Sequence, residues 1–509
     1  MDDISLVTVV FMLPLLGVAA LILLRTLSDQ AIRWTALTFS LVTFAVSLLV
    51  LREFDSSVVG LQPSMTDHWN WIKGDTFTIS YYVGVDGFSI WLLLLTTFIM
   101  PIAILSSFNS IKERVRLYYS FLLMIEWAMM GVFIAQDLFL FYVFWEVSLI
   151  PMYFLIGIWG SENRIYAAIK FFLYTMAGSL IMLLAILWLG NKAGTFELPV
   201  ILAHMQNGSL VLDTNTARWL FLAFAIAFAV KVPMWPLHSW LPDAHVQAPT
   251  AGSVILAGVM LKMGTYGFVR FNLPLFPEAS RHFAPYIATL AVIGIIYGAW
   301  VSYAQRDIKK LVAYSSISHL GFVMLGIFAL NSAGIEGGIL QMVNHGISTG
   351  GLFLAVGVLY ERRHTRMLDA FGGIWKVMPL YSGIALVIVL SSMGLPGLNG
   401  FVGEFTILLG SAGSDVLSMV FTALAALGVI LAAVYMLYMF NTVFMGAVTK
   451  DENKNLPDLN WQELWSLVPI LIVIFVIGLQ AGLFFNLMDS SVAHLVEQLG
   501  ATATAVAGR

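Results

Sequence analysis

Lys231-Val-Pro-Met-Trp-Pro-Leu-His238 interrupts an apolar run extending from about residue 217 to 247. A proline removes a backbone donor and clashes with the preceding turn, so Pro233 and Pro236 should open the helix in mid-span. A second interruption, Gly394-Leu-Pro-Gly-Leu-Asn-Gly-Phe-Val-Gly-Glu404, combines Pro396 with four glycines inside another long apolar run. Open backbone at bilayer depth is tolerated only where protein or water satisfies it. Both interruptions carry ionisable residues, Lys231 at the first and Glu404 at the second. A charge at the bilayer centre costs about 2.5–3.5 kcal/mol on insertion scales. Two proline kinks serving helix contact alone are the bland alternative, and the charges at both breaks weigh against it.

Working outward, 60% of the residues are hydrophobic, 11% are charged, and the mean hydropathy is +0.89. These values exclude an ordinary soluble globule. The apolar runs are too long, and too apolar on all sides, for barrel strands, so an all-α polytopic membrane protein is expected. A net charge of −4 gives no sign of nucleic-acid binding. With no cysteine, the chain can hold no disulfide, no thiolate-ligated iron–sulfur cluster and no c-type haem. No glycine-rich nucleotide loop is evident, and no histidines or carboxylates stand at zinc-ligand spacing. The apolar segment from Leu6 to Leu24 follows Asp2 and Asp3 rather than basic residues, and reads as a retained first span.

Spans are expected near 4–24, 31–51, 85–108, 117–135, 137–158, 165–190, 217–247, 251–271, 284–304, 308–330, 336–360, 376–409, 415–446 and 464–488. With these fourteen spans, sixteen of the 25 Lys and Arg residues fall on one side and seven on the other. Lys231 and Lys262 remain within the membrane. The bias places both termini away from the cytoplasm. Spans four to eight and nine to thirteen form two blocks whose starts correspond at a nearly constant offset. Five spans per block make the second block enter from the opposite face, as in inverted-repeat transporters. The expected organisation is an N-terminal three-helix segment (1–116), a first five-helix repeat (117–272), a second (273–446), and a C-terminal helix and tail (447–509).

The buried polar residues carry the chemistry. Glu146 lies mid-span in Phe141-Tyr-Val-Phe-Trp-Glu-Val-Ser-Leu-Ile-Pro151, and Lys262 in Leu256-Ala-Gly-Val-Met-Leu-Lys-Met-Gly264. Acids and bases together on separate spans, near helix breaks, point to protons moving through a membrane. Glu146 can also be read as a static partner of a lysine, and one lysine as snorkelling to an interface. His319 and His345 sit in spans beside hydroxyls and amides; imidazole both donates and accepts, which suits a relay, although a hydrogen-bonded core histidine fits equally. His238 and His245 flank the turn at Trp240-Leu-Pro-Asp-Ala244. Glu126, centred in the fourth span, reads as a relay member or a buried protonated acid, and Asp137 as a helix cap.

The stretch from Lys231 through Trp240-Leu-Pro-Asp-Ala-His-Val-Gln-Ala-Pro-Thr-Ala-Gly-Ser253 closely resembles the signature of the antiporter-like subunits of respiratory complex I, the proton-pumping NADH:quinone oxidoreductase. That family is similar to Mrp-type sodium/proton antiporter components and membrane-bound hydrogenase subunits. Within it, glutamate at position 404 instead of lysine, and the absence of a long lateral helix, resemble the subunit M branch, the counterpart of mitochondrial chain 4. The resemblance implies that Glu146 and Lys231 form the acid–lysine pair, that Lys262 is the central lysine and that Glu404 is the terminal acid. It places His319 and His345 on the hydrophilic axis; His238 and Glu126 are possible further relay members. It implies a bacterial inner-membrane location with periplasmic termini, and contact with two sister subunits and lipids. NADH, FMN, iron–sulfur clusters and quinone are expected in partner subunits, with no cofactor here. Two rivals stand beside this reading: a sodium/proton antiporter or hydrogenase subunit without this redox partner, and a non-conducting scaffold.

Overall fold

Long apolar runs in this chain form helices because a helix satisfies its own backbone groups without help from solvent. The computed structural model describes residues 4–74 and 77–507, which are mostly helical. Asp2, Asp3 and Arg509, used in reading the termini, lie outside the described residues. Among the described residues, eleven helices are long and apolar enough to cross a membrane, and Ile90–Ser106 and Pro379–Ser392 are shorter apolar helices. The helix starts follow local chemistry. Ser28, Asp137, Asp213, Asp307, Asn331 and Ser418 cap theirs, each accepting a backbone N–H in the first turn, and Asn460 with Glu463 forms a reciprocal capping box.

The helices divide into an inner and an outer set. Thr250–Leu275 and Ser332–Arg363 are buried along their entire apolar windows, whereas Met419–Phe444 and Trp461–Leu479 are 28% buried. The outer set presents Leu48, Leu184, Ile430 and Ile472 outward, an apolar perimeter suited to lipid. The two inner helices lie against each other and against Ile90–Ser106, with Ile308–Ile327 and Asn399–Ala412 completing the centre. Polar residues concentrate in this inner set.

Both interruptions are present. Thr214–Lys231 ends at the lysine and helix resumes at Trp240; Pro379–Ser392 ends and helix resumes at Asn399. Gly394 and Gly397 adopt φ of 78° and 91°, a left-handed geometry that glycine reaches without steric cost. The expected simple span at 251–271 differs. It contains two π-helical segments, Leu256–Met260 and Phe268–Asn272, on either side of Lys262. The second is pinned by a buried bidentate ion pair, in which Arg270 donates to both Asp86 oxygens at 2.6 Å and through Nε to the Tyr266 hydroxyl at 2.8 Å.

Three further features depart from the sequence reading. The last span stops at Leu479 rather than near 488, and Gln480 and Ala481 separate it from the short Gly482–Phe485 helix and the Asp489–Ala507 helix. An antiparallel hairpin, Asp67–Lys73 with Thr78–Val83, occupies the segment between the second and third spans. A short helix, Leu198–Gln206, follows the sixth. A search for long apolar runs passes over such short elements.

Candidate functional site

Lys262 is completely buried directly after the first π-helical segment. A π turn shifts the backbone register, and such segments recur at functional positions. Here the shift leaves the Ala257 carbonyl to accept from Lys262 Nζ, which also lies 2.6 Å from His345 Nδ1. The contact requires close approach of Thr250–Leu275 and Ser332–Arg363. Gly346 provides it: a Cβ at that position would stand 2.6 Å from the Gly258 carbonyl oxygen.

His345 is 3% exposed and its ring centroid is 6.1 Å from that of His319. A void of about 10 Å³ is bordered by His319, His345, Asn344, Ser348 and Ser391. That is about the minimum that accommodates one water, and the lining is polar enough to hold it. His319 Nδ1 is 2.6 Å from Glu404 Oε1, and Tyr435 OH is 3.1 Å from His319 Nε2. Gln341 Nε2 donates to the same Glu404 oxygen at 3.1 Å. Asn344 ties the second break to this group by donating to the Asn399 carbonyl at 2.8 Å. Lys262, His345, His319 and Glu404 thus form one buried polar series across four helices. Charge-assisted bonds of this kind are about twice as strong as neutral ones, and each imidazole can pass a proton between its two nitrogens.

The first half is arranged differently. Lys231 is completely buried, yet its Nζ has no hydrogen-bond partner among the described residues. It lies over the rings of Trp145 at 5.3 Å and Phe171 at 5.7 Å, contacts that favour a cation. Glu146 is within electrostatic reach of Lys231 but forms no direct ion pair with it. Glu146 is partly exposed as a residue, with Tyr142 and Ser179 beside its carboxylate, while its Oε1 is buried without a hydrogen-bond partner among the described residues. Trp240 Nε1 donates to the Val230 carbonyl at 2.9 Å, satisfying backbone freed at the break.

The remaining candidates separate. His238 lies apart from this series, 3.4 Å from the Tyr297 hydroxyl. Glu126 is buried and accepts from Ser40 at 3.1 Å, between Asp29–Glu53 and Val115–Ile134. Asp137 caps its helix through the N–H groups of Phe139 and Leu140. Among the described residues, no group of three or more His, Asp or Glu side chains is placed to hold a metal ion.

Several residues at the site were given no role in the sequence reading. His245 is wholly buried, with electrostatic contact to Lys262 and His345, and neither of its ring nitrogens has a hydrogen-bond partner among the described residues. Its position in the quoted signature was the available signal. Gln341 precedes His345 by one helical turn and shares its face, a spacing visible in the sequence. Nothing near Tyr435 in the sequence marks it.

Residues 135–430 match the family described as "NADH:quinone oxidoreductase/Mrp antiporter, TM". The chain is 44% identical to NADH-quinone oxidoreductase subunit M of Rhodobacter capsulatus, over 99% of each protein. It is also 44% identical to NADH-ubiquinone oxidoreductase chain 4 of Arabidopsis thaliana, over 95% of each. In structure it is similar to a chain of respiratory complex I from Thermus thermophilus, with a TM-score of 0.87, 32% identity, and coverage of 97% of this chain and 99% of that one. Taken with the fold and its buried polar series, these likenesses show that the chain belongs to the family of complex I antiporter-like membrane subunits, in its subunit M and chain 4 branch.

Proposed function

We propose that this chain is a proton-translocating membrane-arm subunit of an NADH:quinone oxidoreductase, in which quinone reduction elsewhere drives charge changes along the buried residues. The observation that carries this reading is the buried series Lys262–His345–His319–Glu404, with 2.6 Å contacts at its first and last links and 6.1 Å between the two imidazole centroids. A scaffold has no need of such a series, because isolated polar groups at that depth only cost stability.

In this proposal Glu146 and Lys231 alternate between close and separated states. A carboxylate within about 4–6 Å changes a neighbour's proton affinity by about 1.4–4 kcal/mol. With Glu146 near, Lys231 keeps its proton; with Glu146 drawn away, burial favours release towards Lys262. Moving one charge against 100 mV costs about 2.3 kcal/mol, so one pair can gate a proton with little margin. The longer series shares the remaining work. The partial exposure of Glu146 fits a group that responds to a neighbouring subunit.

The organisation proposed is fourteen spans, with 117–272 and 273–446 as inverted repeats. Two isolated bridges support the repeat: Asp137 pairs with Glu197 and Asp307 with Met367, both aspartates being helix caps and both pairs offset by the same 170 residues. The chain sits in a bacterial inner membrane with periplasmic termini, between the two sister antiporter-like subunits. Redox cofactors belong to other subunits.

Glu146→Gln and Lys231→Ala in membrane vesicles test this function. Each should sharply reduce proton pumping and the NADH oxidation coupled to it, with assembly intact. Near-normal pumping in both variants overturns the switch.

A further inference from the structure

The second break carries four glycines, and the left-handed turns at Gly394 and Gly397 account for two of them. The other two make room for neighbours. A Cβ at Gly400 would stand 2.1 Å from the Ser391 carbonyl oxygen, where the two halves of the interrupted helix meet. A Cβ at Gly403 would stand 2.3 Å from Gln341 Oε1 and 2.8 Å from Asn344 Nδ2, both on Ser332–Arg363. Both glycines thus serve contacts made by one group of amides and hydroxyls.

Asn399 is the centre of that group. It is completely buried and opens the second half-helix, Asn399–Ala412. Its Oδ1 accepts from the Ser391 hydroxyl, near the end of the first half-helix, Pro379–Ser392. Its Nδ2 donates to Ser348 Oγ at 3.2 Å and to the Asn344 carbonyl at 3.4 Å, both on Ser332–Arg363. Asn344 returns the bond through Nδ2 to the Asn399 carbonyl at 2.8 Å, and Ser348 Oγ lies 2.6 Å from Ser391 Oγ. One side chain therefore joins three helical segments.

The hold extends to the carboxylate. Asn344 Nδ2 also donates to Gln341 Oε1 at 3.2 Å, and Gln341 Nε2 donates to Glu404 Oε1 at 3.1 Å. That is the oxygen that meets His319 Nδ1. Gln341, Asn344 and Ser348 fall three and four residues apart, so they share one face of their helix. Amides suit this task because each donates and accepts at once, which fixes its orientation between two neighbours. The first break is tied differently. There Trp240 bonds back to Val230 within the interrupted helix itself, and Lys231 Nζ has no hydrogen-bond partner among the described residues.

We infer that Asn399 is a positioning residue for Glu404: it clasps both halves of the interrupted helix to Ser332–Arg363, and Asn344 and Gln341 carry that hold to the carboxylate, keeping it on His319. The clasp stands on the geometry; what it serves rests on the proton-translocating reading above. Glu404 cannot swing away from its partners without leaving buried donors unpaired, which folded proteins avoid.

Two variants separate the clasp from ordinary stabilisation. Asn399→Ala removes the joining side chain, and Gln341→Leu removes the last link. Each should lower proton pumping by the intact complex severalfold in inside-out vesicles, with the abundance of assembled complex unchanged. Because both act through the same carboxylate, the double variant should pump no worse than the poorer single one. Losses that multiply would mean that Asn399 acts elsewhere, and would overturn the positioning role. Asn399→Ser, which keeps one hydroxyl, carries the comparison if the alanine variant does not assemble.

The geometry can be read without turnover. In a cryo-electron microscopy map of the intact complex with Asn399→Ala, Glu404 should have left hydrogen-bond distance of His319. Gly403→Ala, whose methyl group would displace the Gln341 amide, should free Glu404 in the same way. Glu404 still seated on His319 in both maps overturns the clasp. A displaced Glu404 with normal pumping would uphold the clasp and defeat the relay role of Glu404 instead.

Discussion

Lys231 and Lys262 are both completely buried, and both stand where a helix departs from regular α geometry, yet their surroundings contrast. Lys262 has an imidazole at 2.6 Å and a carbonyl to bond. Lys231 has two aromatic rings and an acid that stays out of bonding range. Under the function proposed above, the first arrangement would pass a proton, with one 6.1 Å step between its imidazoles, and the second would hold or release a charge according to where Glu146 stands. The Glu146–Lys231 pair is unbonded, as the proposed switch requires, since a switch needs two states of similar energy. The Lys262 series is bonded at Lys262–His345 and at His319–Glu404, as the proposed relay requires.

The sharpest way to break this contrast is Lys231→Arg. Arginine retains the charge and the ring contacts but holds its proton. If Lys231 must release a proton, coupled pumping should fall by at least about tenfold, the equivalent of 1.4 kcal/mol, as measured by acidification of inside-out vesicles. Pumping at the normal rate would make Lys231 a fixed charge. His345→Gln should come next. It keeps a polar group near Lys262 but cannot pass a proton between two ring nitrogens, so pumping should drop severalfold while the assembled complex remains at normal abundance.

Tyr435→Phe should have a smaller effect. It removes one hydrogen bond to His319, worth about 1 kcal/mol, and should slow pumping by a few fold in the same assay. A loss as deep as that of His345→Gln would move Tyr435 into the relay itself. Glu126→Gln should have the least effect. Ser40 is the hydrogen-bond partner of its carboxylate, and the amide can still accept from it, so pumping should stay within about twofold of normal. A loss matching that at Glu146 would show a further branch of the path.

Much of this arrangement was legible in the amino-acid sequence. Pro233, Pro236 and Pro396 marked the two breaks because proline's missing donor acts locally, whatever the tertiary context. Lys262, His319, His345 and Glu404 stood out because charge and imidazole are costly within apolar runs. Their mutual contacts were not legible. Those depend on how Ser332–Arg363 meets Thr250–Leu275, and hence on Gly346 lying against Gly258, a long-range coincidence invisible in either segment alone. The π-helical segments beside Lys262 were hidden too, since their sequences carry no proline or other local marker of π geometry. Lys309 read as one more basic loop residue, and only the fold buries it beside a cavity.

The central claim is that protons pass through Lys262. Its most direct test is the ratio of protons moved to electrons transferred in proteoliposomes carrying the intact complex with Lys262→Met, with NADH oxidation recorded in parallel. The ratio, or the coupled turnover as a whole, should fall well below that of the unaltered complex. An unchanged ratio at unchanged turnover would contradict the claim.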